Sequence, residues 1–449
     1  MRRLHVLLAG CVVAGGAALL TGNGPSGAPS AAIGGPAIDP DAPPASEVAA
    51  FANLAIDDGA PKSGQTKGKS KSKGKASGVR AVSAGAIDTV DLDKITRDGD
   101  HYVAPLADGR KAVLTLDPDL QELAEKLLDE SRAPRGAIVA MAPDGRILAL
   151  AGRKTEETTG SRTGTFDWRL ATDAWAPAAS IFKLVTASAL VQAGVDPDAK
   201  VCYHGGIRSV LEHNLRDDKR DSRCESLSYG VAHSQNAILG KLAYQKLDPT
   251  TLEAMAKTIG WLDPVKHLNG VVGELSLPQV KDLEFARAAA GFKGARLSVL
   301  GGALVAATFA EDGEQPVPRL VSSIDGVMVV SPPARRAITA DHARAVARMM
   351  AGTCTDGSAA RTFARARKVT VAGKTGTLTR TDPFYMEHSW FVGFAPVDTP
   401  QLVVSVVLGN PESWHLRGHE AARRMIDRAL APSKSASARA KGRSTVVVR

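Results

Sequence analysis

Residues 369–380 read VTVAGKTGTLTR, an apolar run that ends in Gly373-Lys374-Thr375-Gly376-Thr377. A lysine in that setting can hold a phosphate, face a carboxylate or simply decorate a strand. A phosphate loop needs a glycine five positions before Gly373 and a helix that opens directly after the lysine. Position 368 is lysine, and the chain continues Thr377-Leu378-Thr379 and then Thr381-Asp382-Pro383. Alternating β-branched residues that run into a proline turn describe a strand and a loop. Lys374 therefore sits on or at the end of a strand, and its role depends on what the rest of the chain brings to it.

The neighbouring stretches supply a sheet. SWFVGFAPVDTPQLVVSVVLG, residues 389–409, reads as a hairpin turning on Pro396-Val397-Asp398-Thr399-Pro400. GAIVAMAPDGRILALAG, residues 136–152, is a second hairpin around Pro143-Asp144-Gly145. KAVLTLD, residues 111–117, is a further strand candidate. Asp117 then caps a helix with Pro118 in its first turn, and Leu120, Leu123, Ala124, Leu127 and Leu128 form one apolar face. HEAARRMIDRAL, residues 419–430, reads as a closing helix. Helical signals dominate 160–350 between the two hairpins. Strands at both ends and helices in the middle predict one α+β unit.

The formal charge of +9 over 449 residues suggests an anionic partner until it is located. Residues 62–80 hold seven basic residues and no acid, and residues 431–449 hold five and no acid. Without those twelve, 44 basic residues stand against 47 acidic. The basicity lies in two tails, and no basic helix interleaved with aromatics occurs, so nucleic acid is not a partner. Residues 22–84 are rich in Gly, Ala, Pro, Ser and Lys and predict a disordered linker; 431–449 predict a disordered basic tail. A short N-terminal segment, 85–112, precedes the main domain at 113–430.

The chain begins MRRLHVLLAGCVVAGGAALLTG. Two arginines before an apolar stretch predict, for 1–21, a signal peptide or an anchor in the cytoplasmic membrane. Leu8-Ala9-Gly10-Cys11 makes Cys11 a lipidation candidate. Either way the rest of the chain is exported, to the periplasmic or extracytoplasmic face of the envelope. In an oxidising compartment, Cys202 and Cys224 are a disulfide candidate worth roughly 3 kcal/mol, the alternative being two unpaired buried thiols. No histidine shows metal-ligand spacing, so no metal or other cofactor is expected.

Two further stretches carry chemistry. Ser180-Ile181-Phe182-Lys183 opens an apolar helix, and residues three apart share a helix face. Serine is a poor nucleophile unless a base takes its proton, and lysine can be that base if burial and a nearby cation lower its pKa. Ser234-Gln235-Asn236 directly precedes another helical run. His233 beside Ser234 invites a Ser–His pair but reads as a loop neighbour. Each match alone is weak; Ser-x-x-Lys, Ser-x-Asn and Lys-Thr-Gly in this order are not.

With these three motifs the chain resembles the penicillin-binding transpeptidase domain over about 113–430. VLTLDPDLQELAEKLL is similar to the family's lead-in strand and helix, and SWFVGFAP to the strand after Lys-Thr-Gly. The resemblance implies an antiparallel sheet flanked by helices, a mostly helical second lobe, and the active site between them. It implies that Ser180 attacks D-Ala-D-Ala stem peptides of peptidoglycan, and β-lactam antibiotics, to form an acyl-enzyme, whose acyl group passes to an amine in a D,D-transpeptidase or to water in a D,D-carboxypeptidase. Lys183 would be the base, Ser234 the proton carrier to the leaving amine, and Asn236 a partner for the substrate amide. Lys374 would face the substrate carboxylate, with Thr375 and Thr377 as further donors. Gly376 would let the substrate backbone lie along the strand. The backbone N–H groups of Ser180 and Thr377 would form the oxyanion hole. One departure stands out: Ala178-Ala179 occupy places where many members have Pro-Gly. The competing readings are a class D-like β-lactamase, which would carry a carboxylated lysine at position 183, and a non-turnover sensor of β-lactams or muropeptides.

Overall fold

Both expected hairpins enter one six-stranded sheet. Its strands, in chain order, are β1 (Arg135–Met141), β2 (Ile147–Lys154), β3 (Thr165–Phe166), β4 (Ala372–Arg380), β5 (Met386–Ala395) and β6 (Leu402–Asn410). In space they run β4-β5-β6-β1-β2-β3, and every neighbouring pair is antiparallel. β4, which carries Lys374, lies at one edge. This computed structural model describes residues 82–83, 90–156, 163–206, 209–364 and 369–431, all within the compact unit Ala76–Arg449. The segment read as signal or anchor, Cys11, nearly all of the 22–84 linker and the tail beyond 431 lie outside the described residues. Among the described residues no helix is long and apolar enough to cross a membrane.

The alternation of a pleated strand explains why both faces of this sheet are covered. In β1, Ile138 and Ala140 join one core; Ala137, Val139 and Met141 join the other. β6 divides the same way, with Val404, Val406 and Leu408 against Val403 and Val407. The first core is closed by helices α1 (Pro118–Ser131) and α8 (Gly418–Ala429), through Leu120, Ala124, Leu127, Leu128, Met425 and Ile426. Asp117 caps α1 as expected, accepting from the Leu120 N–H at 3.0 Å. The second core is closed by α6 (Val299–Ala310), whose sequence is almost wholly apolar. A Cβ on Gly302 would stand 2.5 Å from Ser405 Oγ, so α6 approaches the sheet more closely than any larger residue allows.

The same core runs on into a mostly helical lobe built from α2 (Lys183–Gln192), α3 (Leu227–Ala232), α4 (Asn236–Lys246), α5 (Leu283–Ala289) and α7 (Ala340–Thr355). Thr186 ties α2 to the end of α5, its hydroxyl donating to the Ala289 carbonyl at 2.7 Å. Phe182 meets the buried Trp261 edge-on at 5.2 Å between ring centroids. The α+β architecture with a helical second lobe is therefore as expected.

A second six-stranded sheet joins distant stretches. Thr96–Asp98, His101–Pro105 and Lys111–Leu114 pair onward with Val321–Ile324, Val327–Val330 and Val82–Ser83. Much of the short segment set apart in sequence at 85–112 thus forms strands that pair with one another and join the body of the domain through Lys111–Leu114 against Val321–Ile324. Cys202 and Cys224 face each other across an antiparallel ribbon, and their sulfurs are joined. Cys354 is buried and unpaired.

Candidate active site

Ser180 lies in a single 3-10 turn, Ala179–Ile181, that leads straight into α2. The turn is held from three sides. The Ala178 N–H donates to the Ala295 carbonyl at 2.9 Å, and Trp390 Nε1 donates to the Pro177 carbonyl at 2.8 Å. A Cβ on Gly291 would lie 2.2 Å from the Ala179 carbonyl oxygen, so the chain can pass there only as glycine. Ala179 itself has φ 49°, in the left-handed region that costs an L-residue roughly 1–2 kcal/mol. The alanine that stands where many relatives of this motif have glycine thus keeps a glycine-like conformation.

Lys183 is the first residue of α2 and has no solvent exposure. Its Nζ lies 2.6 Å from Ser180 Oγ, 2.7 Å from Asn236 Oδ1 and 3.3 Å from Ser234 Oγ. Ser234 and Asn236 come from the turn between α3 and α4. Ser234 is also left-handed, at φ 57°, which ends α3 and turns the hydroxyl inward; Asn236 opens α4. Lys374 reaches in from β4, fully buried, and donates to Ser234 Oγ at 3.0 Å and to the Thr375 carbonyl at 2.8 Å. Three segments far apart in the chain therefore converge on a Ser180–Lys183–Ser234–Lys374 chain of contacts.

The electrostatics follow from burial without a counter-ion. Burial holds the Lys183 ammonium well below the ordinary lysine range, and the nearby Lys374 charge lowers it further. Burial likewise brings Lys374 down to about 7. A neutral Lys183 can accept the Ser180 proton across 2.6 Å, while Ser234 stands between both amines and can pass a proton either way.

The remaining candidates fall into place unevenly. Thr375 is half-buried and Thr377 exposed on β4. Gly376 is constrained by packing: a Cβ there would stand 3.2 Å from Trp390 Cβ, 3.3 Å from Ile181 Cγ1 and 3.4 Å from the Ala178 carbonyl. Its missing side chain lets the nucleophile turn sit on β4. His233 stacks on Tyr229 with ring centroids 4.0 Å apart and serves no Ser–His pair. Trp175 donates through Nε1 to the Leu170 carbonyl and lies 5.9 Å from the His388 ring. Sequence reading missed Ser358, whose hydroxyl is 2.6 Å from Thr375 Oγ1. Only the short span between the two residues, with Ser358 in a Gly-Ser turn after α7, hinted at it. Cys202 and Cys224 belong to the ribbon described above, apart from these contacts.

Comparison with known proteins identifies the family. The family model for the penicillin binding protein transpeptidase domain matches residues 136–429. The peptidoglycan D,D-transpeptidase PbpA of Mycolicibacterium smegmatis is 27% identical over 66% of this chain and 66% of its own. The D,D-transpeptidase domain of a peptidoglycan glycosyltransferase from Eggerthella lenta is 26% identical, with a TM-score of 0.56 over 71% of this chain and 82% of that one. Penicillin-binding protein A from M. tuberculosis, solved as an imipenem acyl-enzyme complex, shares the fold at 24% identity and a TM-score of 0.57, over 71% of this chain and 79% of that one. The chain spans 62–66% of the length of the first curated relatives it matches. A family model that covers well over half of the sequence, on a fold shared with solved members, makes this chain a member of the penicillin-binding protein transpeptidase domain family.

Proposed function

We propose that this chain is a serine D,D-transpeptidase of the cell envelope, which acylates Ser180 with the D-Ala-D-Ala end of a peptidoglycan stem peptide and passes the acyl group to an amine. The observation that carries the reading is the unbroken set of contacts from Ser180 Oγ to Lys183 Nζ, Ser234 Oγ and Lys374 Nζ, at 2.6, 3.3 and 3.0 Å.

In the first step Lys183 Nζ takes the Ser180 proton as Oγ bonds to the carbonyl carbon. The oxyanion is met by the backbone N–H groups of Ser180 and Thr377, and each such donor is worth about 3 kcal/mol. The proton moves from Lys183 through Ser234 to the leaving nitrogen, the amide bond breaks, and D-alanine departs as an amine. An acceptor amine then attacks the ester, and its proton returns along the same path to Ser180. Lys374 and the hydroxyls of Thr375 and Thr377 hold the terminal carboxylate. Asn236 also fixes Lys183, accepting from its Nζ at 2.7 Å. A class D-like β-lactamase would need a carbamate on Lys183 Nζ. That nitrogen is already enclosed by three polar partners within 3.3 Å, which disfavours the reading.

The test is intact mass spectrometry of the purified soluble domain with benzylpenicillin. A lasting adduct on Ser180, lost in Ser180→Ala, is expected. Rapid return to the free mass with drug hydrolysis would favour a β-lactamase, and no adduct at all would remove Ser180 as the nucleophile.

A further inference from the structure

The turn after α7 touches both arms of the site. The Ser358 N–H donates to the Ala232 carbonyl at 3.0 Å, two residues before Ser234. A Cβ on Gly357 would stand 2.3 Å from that same carbonyl oxygen, so the turn is pressed against the end of α3. From there the Ser358 hydroxyl, on an exposed residue, meets Thr375 Oγ1 at 2.6 Å. Thr375 follows Lys374, whose Nζ bonds Ser234. Ser358 thus bridges the Ser234 turn and β4 through one backbone and one side-chain bond.

We propose that Ser358 is a positioning residue for the substrate carboxylate, acting through Thr375; this rests on the reading of the cleft given above. A threonine hydroxyl has one proton. Without substrate, either hydroxyl can donate to the other. When an anion binds beside Lys374, Ser358 donates to Thr375 Oγ1, and the Thr375 proton turns to the carboxylate. The charge-assisted bond is then polarised by the hydroxyl behind it. Ser358 also fixes the Thr375 rotamer, so the donor does not have to be ordered on binding. Its role is specific to ligands that carry the anion.

The test compares second-order acylation rates for benzylpenicillin and its methyl ester in the wild type, Ser358→Ala, Thr375→Val, the double variant and Ser358→Thr. Loss of one such hydrogen bond should slow Ser358→Ala about five-fold with the free acid and leave the ester rate unchanged. The double variant should be no slower than Thr375→Val, and Ser358→Thr should recover most of the rate. Equal slowing of acid and ester would assign Ser358 a purely structural role and overturn the proposal. So would a Ser358→Ala rate equal to wild type, or additive losses in the double variant. If wild type itself takes no adduct on Ser180, the reading of the cleft falls and this proposal with it. The wild-type mass therefore separates the two failures.

Discussion

Two lysines of the helical lobe are both shielded from solvent, Lys241 less deeply than Lys183, and hold opposite charge preferences. Lys183 and Lys241 both have no solvent exposure. Lys183 faces two hydroxyls and an amide oxygen, with a second ammonium beyond them, and its pKa is depressed. Lys241, on α4, donates to Asp221 Oδ2 at 2.7 Å and the Cys202 carbonyl at 2.8 Å, and pairs with Asp217 at 2.9 Å. Burial again works against its charge, but the bonds to Asp221 and Asp217 outweigh it and raise the pKa. Asp217 is exposed, so that network also reaches toward water. His204 extends it, 2.6 Å from Asp221 and 2.7 Å from His213. Burial sets the stakes for a lysine, and the counter-ion decides the outcome. One arrangement favours a neutral amine and the other a paired ammonium.

The sharpest way to break this contrast is to remove each amine. Lys183→Met should cut penicillin acylation by about 10³-fold or more, in the upper range for loss of a general base, and leave thermal stability near wild type. An acylation rate within ten-fold of wild type would deny Lys183 its role. Lys241→Met should do the reverse. It leaves the nearly buried Asp221 carboxylate without its ammonium and should cost about 3 kcal/mol in chemical unfolding, with Ser180 still labelled.

pH separates the buried lysines of the candidate site from Lys241 in a second way. The folded Lys374 value, about 7, lies below the ordinary 10.5, so the unfolded chain binds more protons between those limits. The stability difference between wild type and Lys374→Met should therefore climb from about pH 7 to 10.5. Lys241, raised when folded, contributes below 10.5 and loses that contribution as pH climbs through its raised value. Denaturant midpoints across this range would show it, and a flat difference for Lys374→Met would sink the claim. Acylation should fall as pH drops through the depressed Lys183 value and weaken again as Lys374 loses its charge. The smallest effect belongs to Ala179→Gly, which relieves a left-handed alanine. It should raise the unfolding free energy by about 0.5–1 kcal/mol and keep Ser180 reactive; a lower midpoint would contradict it.

Much of the frame was legible because it is written locally. The hairpins show as continuous apolar runs joined at proline-containing turns, α1 in Asp117 and Pro118, and the candidate site in three short motifs. What stayed hidden depends on contacts between distant segments. Nothing near Lys111 announces Val321 as a sheet neighbour, and nothing in α4 marks Lys241 as buried rather than solvated. Gly376 was legible as necessary, but the reason lies in Ile181 and Trp390. Ser358 escaped because a hydroxyl in a Gly-Ser turn looks like any other until α3 is seen pressing on it.

β4 pairs with β5 along its whole length, from Ala372 to Arg380, and among the described residues no strand covers its other side. Sheets ordinarily blunt such margins with a bulge, a proline or an inward charge. Lys374 is itself such an inward charge, fully buried on this edge strand. The seam on that side is closed by side chains and turns instead of a further strand: Ile181 and the Ala178 carbonyl stand over Gly376, and the Ser358 hydroxyl over Thr375.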